Sequence, residues 1–146
     1  MFKLDTWVSY IADNSTKFIV SAFEHRLSKK GVTRVQWIAL YYLGLNNNSM
    51  RQKELADKMH IKESTVARLI DRMEREELVE RRQSEDDRRV INLVLTEKGY
   101  KYRDKLLPEG EWFNNIVSQD ITEEEMRLFC SILEKMVNNV KKSMLD

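Results

Sequence analysis

The chain has 146 residues, 42% hydrophobic and 34% charged, with one cysteine and no apolar run near the roughly 20 residues of a membrane span. That is the length of one domain with apolar side chains enough for a core; an internal disulfide is excluded, no signal peptide is expected at the N-terminus, and a cytoplasmic location is expected. Net charge is only +1, but residues 1–49 carry six Lys/Arg against three Asp/Glu, residues 50–103 fourteen against twelve, and residues 104–146 five against nine, which places any surface for a polyanion in the first two-thirds.

One proline and four glycines predict long helices and few loops. Residues 6–29 predict a long amphipathic helix, capped by Asp5 or Thr6 and closed by Gly31. Trp7, Val8, Ile11, Phe18, Ile19, Ala22 and Leu27 recur in it near helical spacing. Thr33 then caps a second helix whose expected inward stripe is Val35, Ile38, Tyr42 and Leu45, broken by Asn46-Asn47-Asn48. Ser49 with Gln52 has the form of a capping box and opens a short helix that ends near Met59. His60 and Ile61 turn the chain into a further helix over about 62–76, buried through Val66, Ile70 and Met73, with Leu55, Ala56 and Ile61 completing the interlock. Two helices this short, joined by about three residues, suit a near-perpendicular crossing that leaves the second prominent.

Residues 78–95 read as two strands around a charged tip. Leu78 and Val79 open the first, and in the second Ile91, Leu93 and Leu95 alternate with Val90, Asn92 and Val94. Arg81, Arg82, Arg88 and Arg89 share this hairpin with Glu85, Asp86 and Asp87; four guanidiniums suit phosphate or a narrow electronegative groove. Thr96 caps a helix through Leu106 and Leu107 that Pro108 and Gly110 are expected to kink or interrupt, and Trp112, Phe113, Ile116 and Val117 resume its apolar face. Thr122 and Glu125 form another capping box. The last helix carries Met126, Phe129, Cys130, Leu133, Val137, Val140 and Met144 on one stripe. These helical ends hold more apolar surface than a small domain covers. Ile11, Phe113, Ile116, Phe129, Leu133, Val137 and Val140 are therefore expected to meet a second copy of the chain.

The order of a crossed helix pair followed by a basic hairpin points to a winged helix-turn-helix, a mainly α fold with a small β-hairpin wing. Its expected limits are 33–99, with the helix pair at about 51–75 and the wing at 78–95. Residues 1–31 and 100–146 form a helical dimerisation part. With Val66, Ile70 and Met73 inward, the opposite face of the 62–76 helix presents Ser64, Thr65, Arg68 and Arg72. Hydroxyls there bond phosphates or base edges, and Arg68 reaches guanine O6 and N7. The bland alternative is a solvated face, with Arg68 and Arg72 in exposed pairs to Asp71 or Glu76 that contribute less than about 1 kcal/mol each. For the hairpin, one arginine of Arg88 and Arg89 enters a minor groove while Asp87 supports it; the alternative is a merely soluble loop.

The elements in this order resemble the MarR family (multiple antibiotic resistance regulators). The pattern D-x-R, five residues, L-T, two residues, G falls on Asp87, Arg89, Leu95, Thr96 and Gly99. The block QKELADKMHIKESTVARLIDRMEREELVER resembles the family's helix-turn-helix, with Leu55, Ala56, Val66, Arg68 and Leu78 in their usual places. The resemblance implies a homodimer that binds a pseudo-palindromic site on double-stranded DNA as a ligand-responsive repressor. It makes Arg89 the wing arginine, Asp87 its support, and Ser64, Thr65 and Arg68 part of the major-groove helix. Two positions depart from the family. Glu77 replaces the usual glycine after that helix, which implies a different helix end because a left-handed residue there costs about 1 kcal/mol without glycine. Lys62 replaces the usual small polar cap.

The resemblance also implies a pocket for a small aromatic or amphipathic effector, with Phe18, Trp37, Tyr41 and Tyr42 as candidate walls, beside Phe23; the alternative is that these rings are plain core. Redox relatives carry a cysteine early in the first helix, where this chain has Ser15. Cys130 is read as a small core residue. With only His25 and His60, no metal site is expected, nor any cofactor. No phosphate-cradling loop, nucleophile elbow, HExxH or CxxC motif is present, and an enzyme is not expected. Two alternatives remain: a winged-helix module for a protein partner, which the low net charge favours, and a DNA-binding regulator without an effector.

Overall fold

The computed structural model describes residue 1, residues 3–45 and residues 50–145. The elements are α1 (Val8–Ser28), α2 (Arg34–Leu45), α3 (Gln52–Met59), α4 (Glu63–Arg75), β1 (Val79–Gln83), β2 (Ile91–Leu95), α5 (Glu97–Val117) and α6 (Glu123–Met144), preceded by a 3-10 turn at Leu4–Thr6. The mainly helical architecture with one hairpin is the expected one. β1 and β2 pair antiparallel, Val79 opposite Leu95 through Gln83 opposite Ile91, and Met50 bridges to Leu93 on the far side of β2. The chain divides into residues 1–113 and residues 114–146.

The core of the first unit is drawn from every element of the helix-turn-helix. Leu27, Leu40, Leu43, Leu55, Val66, Ile70, Met73 and Leu93 are all essentially inaccessible, each stabilising the fold by about 1.5–3 kcal/mol through apolar burial. The inner end of β2 is buried on both faces, at Leu93, Val94 and Leu95, whereas Ile91 is exposed. The expected alternation therefore holds only toward the tip.

Several local expectations are corrected. In α2 the inward residues are Gln36, Ala39, Leu40 and Leu43, while Val35 and Leu45 are exposed and Ile38 and Tyr42 half-buried. Nearly every side of α2 is apolar, so spacing alone does not set its rotation. α1 begins at Val8 behind Trp7; the Thr6 hydroxyl donates to the Lys3 carbonyl at 2.9 Å, and neither it nor Asp5 caps the helix. Only Phe23 and Leu27 of α1 are buried. Ser49 and the asparagines 46–48 lie outside the described residues. α3 is opened instead by Arg51, whose N–H donates to the Glu54 carboxylate at 2.8 Å.

Pro108 does not interrupt α5, which runs unbroken from Glu97 to Val117. Its flanks are held by tertiary contacts that offset the one lost backbone bond. The Trp37 indole N–H donates to the Leu106 carbonyl at 2.9 Å. The same ring lies where a Cβ on Gly110 would come within 2.3 Å of it. Glu109 accepts from Arg26 and pairs with Lys30 at 3.3 Å, and the Arg26 guanidinium stacks 3.5 Å from the Trp112 ring centre.

In the second unit, α6 opens with the expected capping box. The Glu125 N–H donates to the Thr122 hydroxyl at 3.2 Å, and the Thr122 N–H donates to the Glu125 carboxylate at 2.8 Å. These bonds, the backbone one first, hold the Glu125 carboxyl below its ordinary value. No residue of α6 is buried, and Cys130 is exposed rather than core.

Candidate nucleic-acid interface

α3 and α4 meet across a tight turn. His60 adopts the left-handed conformation at φ 53°, and the Ile61 N–H donates back to the Ala56 carbonyl at 3.2 Å. A bend this sharp needs a residue tolerant of positive φ, and histidine is among the better non-glycine choices. Lys62 then begins α4 without any side-chain cap, as its chemistry predicts. Val66, Leu69, Ile70 and Met73 fix the rotation of α4 by burial. Ser64, Thr65 and Arg68 consequently stand on the exposed face, and among the described residues their side chains engage no partner.

Arg72, expected on the same face, is engaged within the chain. Its Nη2 donates to the Gln36 side-chain oxygen at 2.9 Å and its Nε lies 3.4 Å from Glu76. Gln36, the buried polar residue of the core, donates in turn to Glu76 at 2.8 Å. Arg72 therefore links the last turn of α4 to α2.

α4 ends in a Schellman motif. The Leu78 N–H donates to the Met73 carbonyl and the Glu77 N–H to the Glu74 carbonyl, both at 2.9 Å, with Leu78 and Met73 buried together. Glu77 takes the left-handed position at φ 59°. The glutamate thus does not change the helix end; surrounding bonds offset its strain. The Thr96 hydroxyl donates to the Glu77 carbonyl at 2.6 Å, and the Lys98 ammonium donates to the Glu76 carbonyl at 2.8 Å. Thr96 also receives the Gly99 N–H at 2.9 Å, so one hydroxyl caps α5 and clamps the end of α4. A Cβ on Gly99 would lie 2.1 Å from the Leu78 carbonyl oxygen. The L-T-x-x-G pattern is therefore a packing device that seats the wing's first residue against α5.

The four hairpin arginines have different roles. Arg81 faces inward, with Asp71 at 2.7 Å, Glu74 also ion-paired, and longer contacts to the Ala67 carbonyl and Gln52. It is an anchor between wing and helices, not a groove ligand. Arg82 pairs with Glu80 at 2.8 Å on the surface. Arg88 is exposed and, among the described residues, unengaged. At the tip the Asp87 carboxylate accepts the Arg89 backbone N–H at 2.9 Å and its Nε at 3.2 Å, closing an Asx-type turn. These bonds, the backbone one first, hold the Asp87 carboxyl below its ordinary value. The Arg89 side chain is 90% exposed.

Trp37, Tyr41 and Tyr42 form a run of ring contacts, Trp37 to Tyr41 at 6.2 Å and Tyr41 to Tyr42 at 5.3 Å, and Trp37 meets Phe23 edge-on. Phe18 is 79% exposed, with no ring contact to them among the described residues. Of the residues expected at a dimer contact, Ile11, Ile116, Phe129, Leu133, Val137 and Val140 are exposed, whereas Phe113 stacks on Phe23 at 4.8 Å as part of the core's margin.

A winged helix-turn-helix with a free polar face on α4 and an arginine-tipped wing defines a DNA-binding protein. The model of the MarR family matches residues 32–91. YsmB of Bacillus subtilis, an HTH-type transcriptional regulator, is 30% identical over 116 residues, covering 80% of this chain and 79% of that one. The HTH-type transcriptional repressor MdtR of the same organism is 34% identical over 111 residues, covering 75% and 70%. The S. aureus MepR–DNA complex superposes with a TM-score of 0.81 at 23% identity, over 90% of this chain and 96% of that one. The chain belongs to the MarR family and is a DNA-binding transcriptional regulator. No helix among the described residues is long and apolar enough to cross a membrane.

Proposed function

We propose that this chain represses transcription as a homodimer on a pseudo-palindromic operator and releases it on binding a small-molecule effector. The observation that carries the reading is the contrast on α4: Arg72 is tied down, while Ser64, Thr65 and Arg68 stand exposed and unengaged next to a wing that ends in Arg88 and Arg89. Arg68 reads a base edge in the major groove and Arg89 enters the minor groove, oriented by Asp87. Two copies place their α4 helices about one duplex turn, or 34 Å, apart.

Dimerisation is supported by exposed apolar side chains, Ile11 and Phe18 in the first unit and Phe129, Val137 and Val140 in the second. Repression is supported by the name of the MdtR relative, and contact with DNA by the MepR complex. Footprinting on genomic fragments identifies the operator, and titrations on it test the assignment. Arg89→Ala is expected to weaken binding with the dimer intact. Arg68→Ala is expected to cost about 1–3 kcal/mol on the operator and little on random duplex. Equal losses on both duplexes would remove Arg68 from base readout.

A further inference from the structure

We propose that the cleft walled by the Gly31 turn, the end of α4 and the first turns of α5 binds a small phosphorylated metabolite, whose occupancy is passed to α4 through Lys98. The inference rests on α4 being the DNA-reading helix. The cleft is open to solvent and has a volume of about 420 Å³, within the range of small-ligand sites. Lys98, Lys101 and Lys105 line it with the Tyr102 hydroxyl, against one carboxylate, Glu76. That carboxylate is already engaged by Gln36 and Arg72, and the carboxylates that Lys101 and Lys98 hold, Glu97 and Glu77, are exposed and outside the cleft, so an anion in the cavity meets the unpaired Lys105 and two ammoniums it can compete for. A second cleft continues past Tyr102 and Lys105 to Lys29 and Lys30.

The chemistry suits phosphate. Lys105 has no partner among the described residues, and Lys101 holds only the exposed Glu97, one turn before it. Burial, then the Glu76 charge, raises the Tyr102 hydroxyl above its ordinary value, which keeps it a neutral donor; its contact with the Gly31 carbonyl is a long 3.5 Å. Three ammoniums and a hydroxyl match a multiply charged oxyanion. Operator phosphate is the less apt occupant, since Glu76 lies twelve residues, or about 18 Å, along the helix from Ser64.

Coupling follows from what Lys98 already does. Its ammonium donates to the Glu76 carbonyl and lies 3.3 Å from the Glu77 carboxylate, so it holds the turn between α4 and the wing. An anion in the cleft competes for it and loosens that turn.

Inorganic pyrophosphate at constant ionic strength is the probe, titrated calorimetrically into the full chain. Wild type is expected to bind, and K101E/K105E to bind at least about tenfold more weakly. Pyrophosphate is expected to lower wild-type operator affinity several-fold and leave the K101E/K105E complex unchanged. The R68A variant is expected to keep pyrophosphate binding while losing operator affinity. Failure of that loss would overturn the placement of Arg68 and α4 at the operator and not the cleft. No binding by wild type, or equal binding by K101E/K105E, would overturn the cleft; binding without any change in operator affinity would overturn the coupling.

Discussion

Arg81 on the first wing strand lies 2.7 Å from Asp71 on α4, and the same guanidinium also pairs with Glu74 and reaches the Ala67 carbonyl and Gln52. The wing is thereby bolted to both helices of the helix-turn-helix. Its tip is placed relative to α4 by this cluster as well as by the two-stranded ladder, which alone would be marginal.

Arg81→Ala is therefore expected to destabilise the protein by about 2 kcal/mol. This is charge-assisted hydrogen bonding discounted for the exposure of Asp71. Arg81→Lys should recover only part, since one ammonium cannot reproduce a fork that meets several acceptors. Urea denaturation gives the stability, and operator titration should show a loss larger than instability alone explains. A variant as stable as wild type would show the cluster to be incidental.

Glu77 carries a left-handed backbone that glycine adopts freely. Glu77→Gly should stabilise the fold by about 1 kcal/mol. The lost pairing with Lys98 subtracts little, because both side chains are well exposed. A higher urea midpoint with unchanged slope is the expected result.

The legible parts of this molecule were those where one physical signal stood alone. Val66, Ile70 and Met73, with Leu69 beside them, form one apolar face on a helix that is polar on the other, so their spacing sets the face of α4 and with it the exposure of Ser64, Thr65 and Arg68. The rotation of α2 is not legible because apolar residues surround it, and Gln36 is buried there for its bonds to Arg72 and Glu76, which no periodicity encodes. Arg81 has the same composition signal as Arg88 and Arg89. Its inward role depends on Asp71 and Glu74 arriving from another element, though its place two residues after the buried Val79, on the same face of the strand, was a usable hint. The exposure of Cys130 is not legible, because an amphipathic stripe shows that a helix needs a cover, not whether the same chain supplies it.

Gly99→Ala tests the packing reading of the L-T-x-x-G pattern. A Cβ 2.1 Å from the Leu78 carbonyl oxygen forces α5 and the start of the wing apart. The expected cost is about 1–3 kcal/mol, as for other overpacked sites. Thermal unfolding measures it, and amide exchange should show extra opening at residues 77–79 and 95–99. A melting temperature within error of wild type would refute the close approach.

Acidification should act through Glu109. Burial alone would raise its carboxyl, but the bonds and charges of Arg26 and Lys30 outweigh that and hold it below the ordinary 4.5. The folded state thus binds this proton less readily than the unfolded chain. The stabilisation is present above about pH 4.5 and is lost as pH falls through the lowered folded-state value. Glu109→Gln should lower the melting temperature at pH 7, where the wild-type ion pairs are intact, and the gap between the two proteins should narrow as pH is taken from 5 toward 3. A gap that stays constant across that range would mean that Glu109 contributes through packing and not through its charge.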